Sequence, residues 1–281
     1  NDLAALEQAL SGRNVAAFVV EPIQGKGVNI PDDHYLPEVE RLCKKYGTMF
    51  VADEIQTGLG RTGTFWAIEH WGVKPDMICM AKALSGGFVP VGAVVMTQQI
   101  MESVFNRMDR AVVHGSTFSK NNMAMAAGLA SLEVIKTEKL VENSARIGAD
   151  IIGRINALTG QFEFLKEARG KGSMIAVEFK SPSSFSLKAA WMMLEAANKG
   201  LFCQMITIPL FKEHRILTQV AGHGMNVIKL LPPLILTQQD CDRVVQALTE
   251  TIADTHQVPG SIWELGKNLA SHALKSKAGQ S

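Results

Sequence analysis

The sequence predicts an α/β fold: a mostly parallel sheet flanked by helices, followed by a smaller C-terminal α+β domain. Three observations carry the prediction. Short apolar runs of strand length alternate with amphipathic runs of helix length through the first half. The strand runs are continuously apolar, as a parallel sheet covered on both faces requires. Past the middle of the chain this order is lost, and strands and helices follow in a mixed series.

In chain order, Leu3, Leu6 and Leu10 mark an amphipathic opening, and the start at Asn1, without an initiator Met, reads as an internal cut. Residues 15–20 give the first strand. A helix is expected over 36–46, apolar at Leu36, Val39, Leu42 and Cys43, with Gly47 as its C-terminal stop. Strands follow at 48–52, 77–80 and 91–96. A small-residue helix covers 123–135 and a second helix 140–158, near which the domain boundary is placed. Residues 1–139 then belong to a large domain and 140–281 to a small domain with a tail helix. Within the small domain the expectation is a strand at 173–179, a helix at 187–198, strands at 201–205 and 227–231, and a helix at 238–253. In the tail, Trp263, Leu265, Leu269 and Leu274 recur at roughly helical spacing, as in a helix packed on its own body. There is no internal repeat or low-complexity segment.

Composition narrows the function classes. Of 281 residues, 47% are hydrophobic, enough for a sizeable core. Lys plus Arg number 28 against 27 Asp plus Glu, a formal charge of +1 with no basic block, unlike a nucleic-acid binder. Cys43, Cys79, Cys203 and Cys241 lie far apart without a CxxC pair, which suggests reduced thiols in a cytoplasmic protein rather than a zinc site or disulfide framework. No apolar run is long enough to span a bilayer, and no leader opens the chain.

Asp53 and Lys82 are the most informative pair, because each directly follows or ends a short apolar run, Thr-Met-Phe-Val-Ala-Asp and Asp-Met-Ile-Cys-Met-Ala-Lys. Ligands of open α/β sheets sit outside the carboxyl ends of the strands. Either residue alone reads equally as an ordinary strand-end charge. The flanking Glu54, Gln56, Thr57 and Gly58, and Ala83, Leu84, Ser85, Gly86 and Gly87, strengthen the case, the last two by allowing close backbone approach. A partly desolvated Lys82 suits Schiff-base chemistry. An aspartate opposite it suits a pyridine nitrogen, which it would keep protonated. Metal ligation by Asp53 and Glu54 is the weaker alternative, with no His close by. The hydroxyl-rich run His114-Gly-Ser-Thr-Phe-Ser-Lys-Asn121 suits capture of an anion such as phosphate, or a loop feeding an N-capped helix. Gly58-Leu-Gly60-Arg-Thr-Gly63 matches GxGxxG, but it is displaced from the strand end and no acidic residue stands at the right distance, so these glycines read as a loop.

With these residues in place, the chain resembles the class III aminotransferases of the ornithine, acetylornithine, putrescine and 4-aminobutyrate type, which have pyridoxal-phosphate fold type I. The resemblance runs through Val20-Glu-Pro-Ile-Gln-Gly25, Ala52-Asp-Glu-Ile-Gln-Thr-Gly58, Gly60-Arg-Thr-Gly63, Pro75-Asp76, Ala81-Lys-Ala-Leu-Ser-Gly-Gly87, His114-Gly-Ser-Thr117, Arg169-Gly-Lys-Gly172 and Pro232-Pro-Leu234. It implies pyridoxal 5'-phosphate as cofactor, Lys82 as the Schiff-base lysine and proton shuttle, Asp53 on the pyridine nitrogen and Gln56 near the phenolic oxygen. It also implies that Ser116 and Thr117 serve the phosphate of a neighbouring subunit's cofactor, in a homodimer or larger assembly with its active site at the interface. Glu21 stands where the family has a carboxylate beneath the site.

The resemblance implies transfer of an amino group between a small-molecule amine donor and a keto acid or aldehyde acceptor, with no nucleic acid or membrane as partner. Three departures qualify it. Relatives carry a portion ahead of Asn1 that supplies a phosphate turn and a stacking aromatic ring. Lys26 and Lys229 occupy positions where the ornithine type has a glutamate and an arginine, and an ammonium lacks the arginine's planar fork for a carboxylate. The expected donor is therefore a primary amine distant from, or lacking, an α-carboxylate, with Arg215 as a further candidate cation. Finally, Ser119-Lys120-Asn121-Asn122 replaces the usual Gly-Gly-Asn-Pro. The alternatives are an aminomutase using the same lysine, a truncated non-catalytic interaction domain, and, more remotely, a nicotinamide-dependent oxidoreductase.

Overall fold

A computed structural model of the protein describes residues 1–278, which fall into two compact units. The first comprises Asn1–Gln24 and Ile30–Glu142; the second comprises Gly25–Asn29 and Asn143–Ser281.

In the first unit, helix α1 (Leu3–Ser11) is capped by Asp2, whose carboxylate accepts from the Ala5 N–H at 2.9 Å. Strand β1 (Ala17–Val20) leads to α2 (Tyr35–Tyr46), which ends where Gly47 turns left-handed at φ 74°, as the sequence predicts. Strand β2 (Met49–Asp53), a 3-10 turn (Ala67–Trp71), β3 (Met77–Met80), a second 3-10 turn (Lys82–Ser85) and β4 (Ala93–Met96) follow. Then come α3 (Gln98–Val104), a short 3-10 turn (Met108–Arg110) and α4 (Asn122–Thr137). The sheet order is β1-β2-β3-β4, parallel except for the antiparallel edge strand β4.

One face of this sheet is filled. Leu6, Leu10, Leu36, Val39, Leu42 and Cys43 from α1 and α2 bury Phe50 of β2. Burying each side chain of that size contributes about 1.5–3 kcal/mol. Because side chains alternate across a strand, Val51 and Asp53 point to the opposite face. That face is only partly covered, with Val19 60% and Val94 40% exposed. The expectation of cover on both faces therefore holds for one layer.

The unit boundary lies within α5 (Leu140–Asn156). The second unit contains β5 (Leu165–Lys171), β6 (Met174–Phe179), α6 (Phe185–Ala197), α7 (Leu201–Lys212), β7 (Gln219–Val220), β8 (Val227–Leu230), α8 (Gln238–Asp254) and α9 (Ser261–Ala278). Its antiparallel sheet has the order β5-β6-β8-β7. Phe164, Trp191 and Phe202 form its aromatic centre, with ring centroids 4.7–5.8 Å apart.

Residues 201–205 are a correction: they open helix α7 rather than forming a strand. Leu201, Phe202, Cys203, Met205, Ile206 and Leu210 are all buried, so this helix is apolar around most of its circumference and shows no one-sided period. Strand β5 was hidden for the opposite reason. Its Lys-Glu-Ala-Arg-Gly-Lys run is mostly polar, yet it pairs along its length with the buried β6.

Segment Gly25–Asn29 is held within the second unit by two cations. Lys229 of β8 donates to the Gly25 carbonyl at 2.9 Å. Arg169 of β5 donates to the carbonyls of Gly27 at 2.8 Å and Val28 at 3.2 Å, and is ion-paired with Glu167 and Glu178.

Candidate active site

Asp53 is the last residue of β2, and Lys82 stands two residues beyond the end of β3, the next strand in the same parallel sheet. Neighbouring strands lie about 4.8 Å apart, so the two side chains rise from adjacent carboxyl ends. Asp53 pairs in register with Cys79, three residues before the lysine. Its Oδ1 accepts from the Ile55 N–H at 3.0 Å, which fixes the carboxylate and leaves Oδ2 for a ligand.

Lys82 is exposed in this chain taken by itself. Its backbone is unusual, with φ 45° in the left-handed region, a conformation costing a residue with a β-carbon about 1–3 kcal/mol. The turn that holds it is closed by Leu84 N–H to Ala81 and Gly86 N–H to Ala83, each at 3.0 Å. Gly86 and Gly87 continue with φ 65° and 86°, so here the glycines supply left-handed backbone. Buried Ser85 donates to the Val89 carbonyl at 2.5 Å and accepts from the Val89 N–H at 3.3 Å.

Glu54 directly follows Asp53. It is 1% exposed; its Oε1 accepts from the Ile68 N–H at 2.8 Å, and its Oε2 from the Ala67 N–H at 3.0 Å and the Thr57 hydroxyl at 2.5 Å. The carboxylate thus caps the Ala67–Trp71 turn and is engaged away from metal ligation. Burial pushes its carboxyl above the ordinary range, partly offset by these hydrogen bonds. Among the described residues no group of three or more His, Cys, Asp or Glu side chains could hold a metal ion.

Gln56 is half-buried in the turns after Asp53. Gly58 cannot carry a side chain without displacement, because a β-carbon there would lie 2.9 Å from the Glu54 carbonyl. The Gly58–Gly63 stretch is a run of turns and bends, as the sequence predicts.

Ser116 and Thr117 lie on a separate exposed segment leading into α4. Ser119 closes it by donating to the Ser116 carbonyl at 2.7 Å and accepting from the Ser116 N–H at 3.2 Å. Asn121 then caps α4, accepting from the Ala124 N–H at 2.9 Å. The departure from the family's usual motif therefore still provides a helix cap. A cavity of about 1040 Å³ opens beside this segment, lined by Val94, Met101, Phe105, His114, Ser116 and Asn121 among others, but not by Asp53 or Lys82.

The remaining candidate cations belong to the second unit. Lys229 is 8% exposed with its ammonium on the Gly25 carbonyl; Lys26 is exposed and its side chain runs over Gly222; Arg215 is exposed at φ 61°. The structure brings Asp53 and Lys82 to one sheet edge, with Gln56 in the turns that follow β2. It places Ser116 and Thr117 on their own segment.

The sequence matches the family described as aminotransferase class-III over residues 1–252. It is 38% identical to ornithine aminotransferase of Plasmodium falciparum over 253 residues, covering 90% of this chain and 55% of that protein. It is also 38% identical to acetylornithine aminotransferase of Methanosarcina mazei, covering 89% of this chain and 55% of that protein. Among solved structures, ornithine aminotransferase of Toxoplasma gondii superposes with a TM-score of 0.78 at 34% identity, covering 91% of this chain and 55% of that one. The chain spans about half the length of the curated relatives it matches.

Proposed function

The chain belongs to the class-III aminotransferase family, and on that premise we propose that it carries the lysine and aspartate of a pyridoxal-phosphate-dependent aminotransferase acting on primary amines. The observation that carries the reading is the placement of Lys82 and Asp53 at adjacent carboxyl ends of one parallel sheet.

These residues fit the cofactor. Lys82 offers an exposed amine, and Asp53 offers a carboxylate oriented by the Ile55 N–H with one oxygen to spare. When bound, pyridoxal phosphate supplies an aldehyde that captures an amino group and a ring that draws electrons from the bond being broken. Lys82 Nζ would hold the cofactor at its aldehyde carbon and, when free, would hold and move a proton at the substrate carbon. Asp53 Oδ2 keeps a proton on the ring nitrogen by charge-assisted hydrogen bonding. Gln56, in the turns beyond Asp53, serves the phenolic oxygen.

Ser116 and Thr117 serve a cofactor phosphate across the interface of a homodimer; their exposure on a segment held by Ser119 and Asn121 supports this. The amine is one whose carboxylate is distal or missing. The Lys229 ammonium is engaged by a backbone carbonyl, which leaves Lys26 and Arg215 as the exposed cations for a distant acidic group. The protein works in the cytoplasm, a reading supported by four free cysteines, three of them buried and all distant in sequence.

The test is a donor and acceptor panel on the protein that carries this chain. Keto or aldehyde product is expected from terminal amines in preference to α-amino acids, and none after Lys82→Ala. Equal turnover of the Lys82→Ala protein would refute the proposal.

A further inference from the structure

Helix α4 does more than follow the hydroxyl-rich segment. Its Ser131 hydroxyl donates 3.1 Å to the carbonyl of Ala83, 48 residues earlier and directly after Lys82. One turn before Ser131, Gly128 is buried where a β-carbon would stand 3.6 Å from the Leu84 carbonyl, so the helix backbone passes close beneath the same turn. The Ala83 carbonyl therefore takes two donors, the Gly86 N–H from within the turn and the Ser131 hydroxyl from outside it. The residue being held is left-handed Lys82, whose backbone gains nothing from its own conformation and needs surrounding structure to keep it there.

We propose that Ser131 is a positioning residue for Lys82: α4 is a strut that, through the Ser131 hydroxyl on the Ala83 carbonyl, keeps the Lys82–Ser85 turn in the form that presents the lysine amine. The role rests on the reading of Lys82 as the cofactor lysine. The same helix starts at the Asn121 cap beside Ser116 and Thr117, so one rigid element joins the segment assigned to phosphate and the turn that bears the lysine. Ser131→Ala removes the external donor while the Gly86 N–H still satisfies the Ala83 carbonyl, so the turn loosens without leaving a stranded polar group.

Two measurements on the whole protein decide the matter. The first is hydrogen exchange of the cofactor-free form at Leu84, Gly86 and Phe88, whose N–H groups close the turn. Ser131→Ala is expected to speed exchange there by about two- to tenfold, the range set by one neutral hydrogen bond, with β1 and β2 unchanged; Ser131→Thr, which keeps a hydroxyl, is expected to restore the slow rate. The second is the rate at which pyridoxal phosphate is trapped on Lys82. The amine nitrogen adds to the aldehyde carbon, the oxygen leaves as water, and borohydride fixes the product by giving hydride to that carbon while solvent gives a proton to nitrogen. Trapping is expected to slow by a similar factor in Ser131→Ala and to recover in Ser131→Thr. Parent-like exchange in Ser131→Ala, or a loss that Ser131→Thr fails to rescue, would overturn the proposal. Absence of trapping at Lys82 in the parent would instead refute the cofactor reading, and the exchange comparison would still decide the role of Ser131.

Discussion

Replacing Glu54 by alanine tests whether the turn after Asp53 is built from within. The carboxylate is 1% exposed and receives the N–H groups of Ala67 and Ile68 at 3.0 and 2.8 Å, besides the Thr57 hydroxyl. Removing it strands two backbone donors in a dry region, while the hydroxyl can rotate to another acceptor. Each stranded donor costs about 1–3 kcal/mol, so the first unit should lose about 2–6 kcal/mol. With a urea dependence of about 2 kcal/mol per molar, its unfolding midpoint should fall by about 1–3 M. Trp66 precedes the capped turn and Trp71 ends it, so both report it by fluorescence. Hydrogen exchange at Ala67 and Ile68 should rise even under native conditions. A midpoint within about 0.3 M of the parent, with both amides still protected, would refute the capping role, since a shift of about 0.6 kcal/mol is less than one stranded buried donor costs.

Other consequences follow from the second unit. Asp150 is held below the ordinary carboxylate range first by the Cys241 thiol at 3.0 Å and then by the Gln238 amide at 2.8 Å. A depressed carboxyl contributes stability that is present above its ordinary pKa and lost as pH falls through the lowered value. Cys241→Ala should therefore raise the Asp150 pKa toward the ordinary value and shrink the share of stability that is lost on acidification, as followed by carboxyl-carbon NMR and by urea midpoints across the acid range. Lys229→Met should destabilise the second unit by about 1.5–3 kcal/mol, the worth of a hydrogen bond from a charged donor, and release Gly25–Asn29 to faster exchange or proteolysis. Intact protection of that segment would show that Arg169 alone holds it.

Most strands and helices were legible because their residues satisfy local and tertiary demands together. The α2 pattern Leu36, Val39, Leu42 and Cys43 is both a helical face and the set that meets Phe50. Helix α7 was misread because burial on nearly all sides erases the period that distinguishes helix from strand. Asp53 and Lys82 were readable as strand-end charges, and their places at neighbouring strand ends depend only on strand order. The cap made by Glu54 and the contact from Ser131 to Ala83 were not readable, because each joins separate stretches of sequence through one or two polar atoms. The anchoring of Gly25–Asn29 was hidden for the same reason: the carbonyls that Lys229 and Arg169 seek have no sequence signature.

The central claim is that Lys82 is the amine that takes the cofactor, and peptide mapping tests it most directly. The protein carrying this chain is incubated with pyridoxal phosphate, reduced with borohydride, digested and analysed by mass spectrometry. One stoichiometric adduct on the peptide containing Lys82, absent after Lys82→Ala and weakened after Asp53→Ala, is the expected result. Adducts spread over surface lysines, or an undiminished adduct in the Lys82→Ala protein, would contradict the claim.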